Sequence, residues 1–148
     1  MISIDISNQQ SIVAVDEDRM RSVAHTVLAD AGIHAAQISI AIVDDRAIRP
    51  LNRKYLDHDF ATDVLSFVLE QNADHLEGEV VASAETAARV ADGLDWTADD
   101  ELLLYVVHGV LHLVGHDDAT DQQRDAMREL EREILDRFGL KRQDDPGA

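Results

Sequence analysis

The length, composition and charge of this chain exclude several classes of protein before any motif is considered. Its 148 residues, 45% of them hydrophobic, are enough for one globular domain with a sizeable core. There is no cysteine, so disulfides, thiolate metal ligands and a cysteine nucleophile are excluded, and any metal must be bound by His, Asp or Glu. The formal net charge of −17 argues against broad, non-specific attraction to nucleic acid.

The predicted elements come from two kinds of pattern. Alternating or β-branched stretches predict strands, and apolar residues at helical spacing behind a capping residue predict helices. In chain order these are a strand over residues 2–6, a helix from Asp16 to Gly32, a strand over 38–43, a helix capped by Asp44 or Asp45 that reaches about Tyr55, strands over 64–68 and 79–82 joined by a polar loop with Gly78, and helices from Ser83 to Gly93, from Thr97, and from Thr120 to Gly139.

The helix that begins at Thr97 is apolar nearly all round, so we expect it to be buried at the centre of the molecule. The element order βαβαββααα predicts an α+β fold, a small mixed four-stranded sheet covered by about five helices. One domain is predicted over residues 1–142, followed by a frayed tail over residues 143–148. The first residues do not resemble a signal peptide, and the longest apolar stretch, residues 102–116, is too short for a bilayer, so we expect a soluble cytoplasmic protein without a membrane partner.

His108 and His112 are four residues apart in the most apolar part of the chain. Side chains at this spacing share one helix face and can bind one ion, and neutral imidazole suits zinc, nickel, copper or iron. The alternative is a pair of satisfied core histidines, since an unpaired imidazole in apolar surroundings is costly.

A third ligand is expected just beyond this pair. Gly115 can end the helix and turn the chain back, which would bring one of His116, Asp117 or Asp118 toward the histidines. Three protein ligands and one open position are typical of a catalytic zinc site. The residue after the first histidine is Gly109, whereas metalloproteases with two histidines at this spacing carry a general-base Glu there. A protease of that kind is therefore not expected.

Four segments of the chain resemble one known family, the YbeY-type endoribonucleases or rRNA maturation factors. Residues 108–118 follow its His-Gly-x-Leu-His-x-x-Gly-Tyr-Asp-His signature, with His116 in place of the Tyr and Asp118 in place of the last His. Residues 52–55 and 62–67 resemble its Asn-x-x-Tyr and Thr-Asp-Val-Leu-Ser-Phe segments, and residues 78–83 resemble its Gly-Asp-Ile-x-Ile-Ser strand.

The resemblance implies a metal-dependent single-strand endoribonuclease that takes part in 3′ end processing of small-subunit rRNA and in ribosome quality control. It implies one Zn²⁺ per chain, with other divalent metals as alternatives. The implied partners are rRNA, the small ribosomal subunit, a ribosomal protein and a ribosome-associated GTPase. The implied metal ligands are His108, His112 and Asp118, and His116 is the rival third ligand.

A second departure from the family concerns a cation. Leu56 stands where the family commonly carries an Arg that is implicated in catalysis, and Leu cannot bind phosphate. Four basic residues lie nearby and could form a phosphate-contacting patch: Arg46, Arg49, Arg53 and Lys54. The alternative is a solvated helix face with local ion pairs.

The predicted catalytic residues are His112, Asp117 and Arg53, with Asp117 orienting a metal ligand as a hydrogen-bond acceptor. Thr62 and Ser66 could donate hydrogen bonds near the site, although Ser66 could equally be structural. Two rival functions remain: a non-catalytic ribosome-assembly factor with a structural metal, and a metallohydrolase that acts on another phosphoester.

Overall fold

The computed structural model describes residues 1–56 and 63–141, and its elements follow the predicted order. Thr62, the side chains of Tyr55 and Leu56, and the predicted tail at residues 143–148 lie outside the described part. The elements are β1 (Ile2–Asn8), α1 (Glu17–Asp30), β2 (Ala36–Val43), α2 (Asp45–Leu56), β3 (Val64–Gln71), β4 (Leu76–Ser83), α3 (Ala84–Ala91), α4 (Ala98–Leu113) and α5 (Asp121–Arg137).

The four strands form one sheet in the order β1-β2-β4-β3. β1 pairs with β2, and β2 with β4, in parallel, because a helix connects β1 to β2 and α2 with β3 connects β2 to β4. β3 pairs with β4 in antiparallel fashion and lies at the edge of the sheet. The prediction of an α+β fold with a mixed four-stranded sheet is therefore confirmed.

The larger core lies on one face of the sheet, where α4 packs against β3, β4, α1, α3 and α5. Ten of the 16 residues of α4 are buried, as expected for a helix that is apolar nearly all round. Its N-terminus has a capping box in which Thr97 Oγ1 accepts from the amide of Asp100, and the Asp100 carboxylate accepts from the amide of Thr97. The predicted central helix is therefore confirmed.

A smaller core lies on the opposite face of the sheet, where Ile48 of α2 packs with Val43, Leu65 and Val81. The basic side chains of α2 are on its other, exposed side. This arrangement places α2 and α4 on opposite faces of the sheet.

The predicted loop around Gly78 was wrong. Gly78 lies inside β4 and pairs with Val68, whereas the turn between the strands is at residues 72–75. A Cβ at position 78 would lie 2.9 Å from a methyl carbon of Leu113, so glycine is required by the close approach of α4 and not by a turn. The helix α3 ends at Ala91 with Asp92 as its C-cap, and Gly93 follows the cap directly, in agreement with the prediction. Within the described residues, no helix is both long enough and apolar enough to cross a membrane.

Candidate metal centre

The carboxyl end of α4 carries both histidines of the predicted site and ends in a Schellman motif. The amide of Gly115 donates to the carbonyl of His112 (3.1 Å), and the amide of His116 donates to the carbonyl of Leu111 (3.0 Å). The φ angle of Gly115 is +106°, which a side chain would disfavour. The chain therefore reverses at Gly115, directly after the C-cap Val114, as the sequence predicted.

The loop that follows is held from its other end by α5. Thr120 caps α5 in a capping box with Gln123, which confirms the predicted helix start. Arg124 of α5 donates to the backbone carbonyls of Asp118 (3.2 Å) and Ala119 (3.3 Å). The backbone that carries Asp118 is thus fixed both before and after this residue.

Three side-chain atoms meet where this loop faces α4. His108 Nε2 and His112 Nε2 are 3.1 Å apart, and Asp118 Oδ2 lies 3.4 Å from the first and 3.5 Å from the second. Ligands at the 2.0–2.1 Å bond lengths of a tetrahedral zinc ion are about 3.3 Å apart, so the triangle has the size that such an ion requires. The described chain therefore brings together a group that could hold a metal ion.

Glu131 of α5 fixes the ring of His108 from the other side. Nδ1–H of His108 donates to Glu131 Oε2 at 2.6 Å, and the Glu131 side chain is only 14% exposed. This bond assigns the proton to Nδ1 and leaves the Nε2 lone pair directed at His112 and Asp118. A carboxylate behind a histidine ligand is the usual second partner of a metal-bound imidazole.

The surrounding carboxylates also change the protonation of His108. Burial of the ring is the largest single effect and lowers its pKa. The hydrogen bond to Glu131, together with the charges of Glu131, Asp118 and Asp63, outweighs burial and raises the pKa of His108 above its ordinary 6.5. Protons therefore compete with a metal at this ring at slightly acidic pH.

The turn of α4 between the two histidines is in unusually close contact with the sheet. Ser66 Oγ of β3 donates to the carbonyl of Gly109 at 2.8 Å. A Cβ at Gly109 would lie 2.7 Å from Val80 Cγ1, which no side chain tolerates without movement. Gly109 therefore lets the helix approach the sheet, and the hydroxyl of Ser66 holds the backbone between the ligands.

Two clefts of similar size meet at His108. The β3 cleft, about 480 Å³, lies between β3 and the end of α4 and is lined in part by His108, His112 and Asp118. The α5 cleft, also about 480 Å³, lies between α3, α4 and α5 and is lined in part by His108 and Glu131. Asp63, at the start of β3, borders both clefts.

The remaining predicted site residues lie outside the triangle. His116 and Asp117 are exposed, and the metal-binding group contains Asp118 in their place. The hydrogen-bond acceptor behind His108 is Glu131, a role the sequence gave to Asp117. Arg53 is exposed on α2 and borders neither cleft, so its catalytic role stays a prediction, as does that of Asp117.

Sequence reasoning missed Glu131 and gave no role to Asp63. Glu131 is 23 residues from His108 and is one of many acidic residues of α5, so no local pattern distinguishes it. Asp63 lies in one of the family-like segments, and that position was the available signal.

Fold and site together define a class: an α+β protein that places a group of two histidines and one aspartate, able to bind a metal ion, where two open clefts meet. The sequence matches the family described as Endoribonuclease YbeY over residues 5–139. The chain belongs to this family, which confirms the resemblance and the endoribonuclease function it implied and does not favour a non-catalytic role.

Individual relatives agree with this assignment. The chain is 44% identical to the endoribonuclease YbeY of Rhodopirellula baltica, in a match that covers 80% of this chain and 66% of that protein. It is 40% identical to that of Salinibacter ruber, over 82% of each chain, and 41% identical to that of Carboxydothermus hydrogenoformans, over 93% of this chain and 99% of the other. The solution structure of TM1509 from Thermotoga maritima superposes with a TM-score of 0.60 at 21% identity, covering 100% of this chain and 99% of the other, which is a likeness of fold alone.

Proposed function

We propose that this protein is a zinc-dependent single-strand endoribonuclease that processes the 3′ end of small-subunit rRNA and contributes to ribosome quality control. The observation that carries the proposal is the triangle of His108 Nε2, His112 Nε2 and Asp118 Oδ2, with sides of 3.1 to 3.5 Å, in a chain of the endoribonuclease family. Two imidazoles and one carboxylate form a donor set that zinc accepts, and no thiolate is available to compete.

Each residue of the group has a defined task in this proposal. His108, His112 and Asp118 would hold the ion, and Glu131 keeps the His108 ring in the tautomer that can bind it. A bound divalent ion would supply Lewis acidity toward a phosphoryl oxygen and toward water. Both histidines are about one quarter exposed, at 24% and 26%, so the group is accessible to a phosphodiester from the clefts.

The catalytic assignments beyond the ligands belong to the same proposal. Asp117 directly precedes the ligand Asp118 and would orient a metal ligand as a hydrogen-bond acceptor. Arg53 extends from the exposed side of α2, together with Arg46 and Arg49, and would contact the RNA backbone. His112 would act both as a ligand and in positioning the reacting phosphate.

The charge of the chain supports the proposed partners. A net charge of −17 repels free RNA, and an aromatic content of 4% leaves few rings for base stacking. We therefore propose that the rRNA is presented to the enzyme by the small ribosomal subunit in the cytoplasm. Contacts with a ribosomal protein and with a ribosome-associated GTPase would then replace much of the affinity that RNA alone does not supply.

The test is cleavage of a single-stranded fragment from the 3′ end of small-subunit rRNA by purified protein, with and without a chelator, followed by restoration with individual divalent metals. We expect cleavage that the chelator abolishes and that zinc restores. His112→Ala should lose both the metal and the activity, whereas His25→Ala, which removes an exposed histidine of α1, should keep both.

The outcomes separate the candidate functions. Absent or chelator-resistant cleavage combined with retained binding to the small subunit would replace the enzyme by an assembly factor with a structural metal. Preferential hydrolysis of nucleotides over RNA would indicate a different phosphoesterase. Restoration by manganese or nickel but not zinc would contradict the metal assignment and leave the endoribonuclease in place.

A further inference from the structure

The α5 cleft is not explained by the metal-binding group that it adjoins. Its walls come from three helices, with Thr86 and Arg89 of α3 on one side and Arg128 and Glu131 of α5 on another. Its volume of about 480 Å³ falls in the usual range for small-ligand sites, roughly 300–1,000 Å³. The cleft therefore has room for a nucleotide-sized group beside His108.

Arg128 is unusual among the cations of this acidic chain. The chain has 30 acidic and 13 basic residues, and at least five of the ten arginines within residues 1–56 and 63–141 pair with a carboxylate, as Arg19 does with Asp100 and Arg137 with Asp30. Arg128 is exposed, and no carboxylate of residues 1–56 or 63–141 lies within ion-pair distance of it. An arginine that remains without a carboxylate partner here keeps its full charge and its donors for an anion.

Arg128 lines the same cleft as His108, so its charge lies beside the metal-binding group. It precedes Glu131 by three residues on α5, so the two side chains share one helix face. Glu131 in turn touches the His108 ring at 2.6 Å. Across the cleft Arg89 donates to Asp45 at 2.7 Å and remains 59% exposed, which leaves part of a second guanidinium on the opposite wall.

The shape of the site suggests what fills the cleft. A phosphodiester at the metal-binding group belongs to a polymer, and the polymer must continue in both directions from the reacting linkage. The β3 cleft and the α5 cleft provide two such directions, because their linings are otherwise different and meet at His108 and Asp63. A single strand that crosses the His108 ring could therefore place one neighbouring nucleotide in each cleft.

We propose that the α5 cleft binds the nucleotide adjacent to the scissile linkage of single-stranded RNA, with Arg128 as its phosphate contact. The inference rests on the proposed function, since it takes the reacting linkage to lie at the metal-binding group. Arg128 is a binding residue in this scheme, and the Arg89 guanidinium lies on the opposite wall. The nucleotide on the other side of the linkage occupies the β3 cleft.

The first test measures binding to the metal-loaded protein of a single-stranded phosphorothioate RNA, whose linkages resist hydrolysis, over a range of salt concentrations. Arg128→Ala should weaken binding about tenfold and reduce the slope of log K against log salt by about 0.7, the contribution of one phosphate contact. Arg128→Lys should keep most of the slope. The matched control is Arg21→Ala, which removes a partly exposed charge of α1 that pairs with Glu17 and Asp18 on its own helix.

The second test uses cleavage of RNA oligonucleotides shortened one nucleotide at a time from either end. With full-length RNA, kcat/KM of the native protein should exceed that of Arg128→Ala. This ratio should fall to one when the RNA is shortened past the nucleotide that occupies the α5 cleft. Shortening from only one of the two ends should have this effect. Identical salt slopes for the Arg128 and Arg21 variants, or a ratio independent of RNA length, would overturn the inference. Failure of the native protein to cleave RNA would instead refute the proposed function. The salt dependence of binding would still show whether Arg128 contacts a phosphate of the RNA.

Discussion

Glu131 provides the sharpest test of the metal centre, because its carboxylate contacts the ligand ring and not the ion position. Glu131→Gln keeps the size of the side chain and an oxygen that can accept the Nδ1 proton of His108, but removes the charge. Glu131→Ala removes the acceptor as well. The pair of variants therefore separates the orientation of the ring from its electrostatic support.

The contact of 2.6 Å and the 14% exposure of Glu131 set the expected magnitude. Loss of such a partner behind a histidine ligand typically lowers metal affinity about tenfold to a hundredfold. We expect Glu131→Gln near the lower end and Glu131→Ala near the upper end of that range. An opposing effect exists, since the hydrogen bond to Glu131 raises the pKa of His108 and so favours the proton over the metal.

The two effects separate with pH. At a pH well above the raised pKa of His108 the ring is neutral in both proteins, so competition between zinc and a chromophoric chelator should show the full difference in affinity. At about pH 6 the native ring is more protonated than that of Glu131→Gln, so the difference should narrow.

The matched control is Glu133→Gln on the exposed side of α5, which should bind zinc as the native protein does. Unchanged zinc affinity in Glu131→Gln and Glu131→Ala, or a larger loss in Asp117→Asn, would show that Glu131 does not support the ligand and that the acceptor predicted from the sequence is the relevant one.

Three further changes test other parts of the site and its support. Asp118→Ala should empty the metal site and His116→Ala should leave it filled, as measured by elemental analysis; the reverse result would make His116 the third ligand. Gly109→Ala should destabilise the protein by about 1–2 kcal/mol in urea unfolding, because a Cβ 2.7 Å from Val80 outweighs the helix propensity gained; a neutral result would mean that α4 can retreat from the sheet. Burial raises the pKa of Asp45, but hydrogen bonds from Ser83, Arg89 and Thr86 together lower it below 3.8. Asp45→Asn should therefore lower the unfolding free energy by about 1–2 kcal/mol at neutral pH, and this difference should disappear as the pH falls through the native pKa of Asp45. A difference in stability that persists in acid would contradict this account.

The parts of the site that sequence predicted are those set by local chemistry. Thr97 and Thr120 mark helix starts because their hydroxyls satisfy amides three residues on, and both capping boxes are present. His108 and His112 share a face because of helical spacing, and Gly115 reverses the chain because it adopts a positive φ. Each of these features depends on fewer than ten consecutive residues, so a single segment contains the whole signal.

The parts that sequence did not predict depend on packing between distant segments. Glu131 reaches His108 only because α5 packs against α4. The angle between two packed helices is not determined by the sequence of either helix alone. Gly78 looked like a turn residue, and its true reason is the side chain of Leu113, 35 positions away. Arg128 resembled any exposed arginine until the fold placed it in a cleft with His108.

The carboxylates around His108 would attract a metal cation and repel the negative charge of an RNA substrate. Asp118 Oδ2 and Glu131 Oε2 lie 3.4 and 2.6 Å from the two nitrogens of His108, and Asp63 adds a third nearby carboxylate. With an aspartate as third ligand a divalent ion keeps one net positive charge, and the adjacent carboxylate offsets much of the remainder. A phosphodiester would therefore gain little attraction from the centre itself. Any affinity of this chain itself for RNA must then come from cations beyond the proposed ligands, and Arg89 and Arg128 of the α5 cleft are the arginines nearest to His108 in that role.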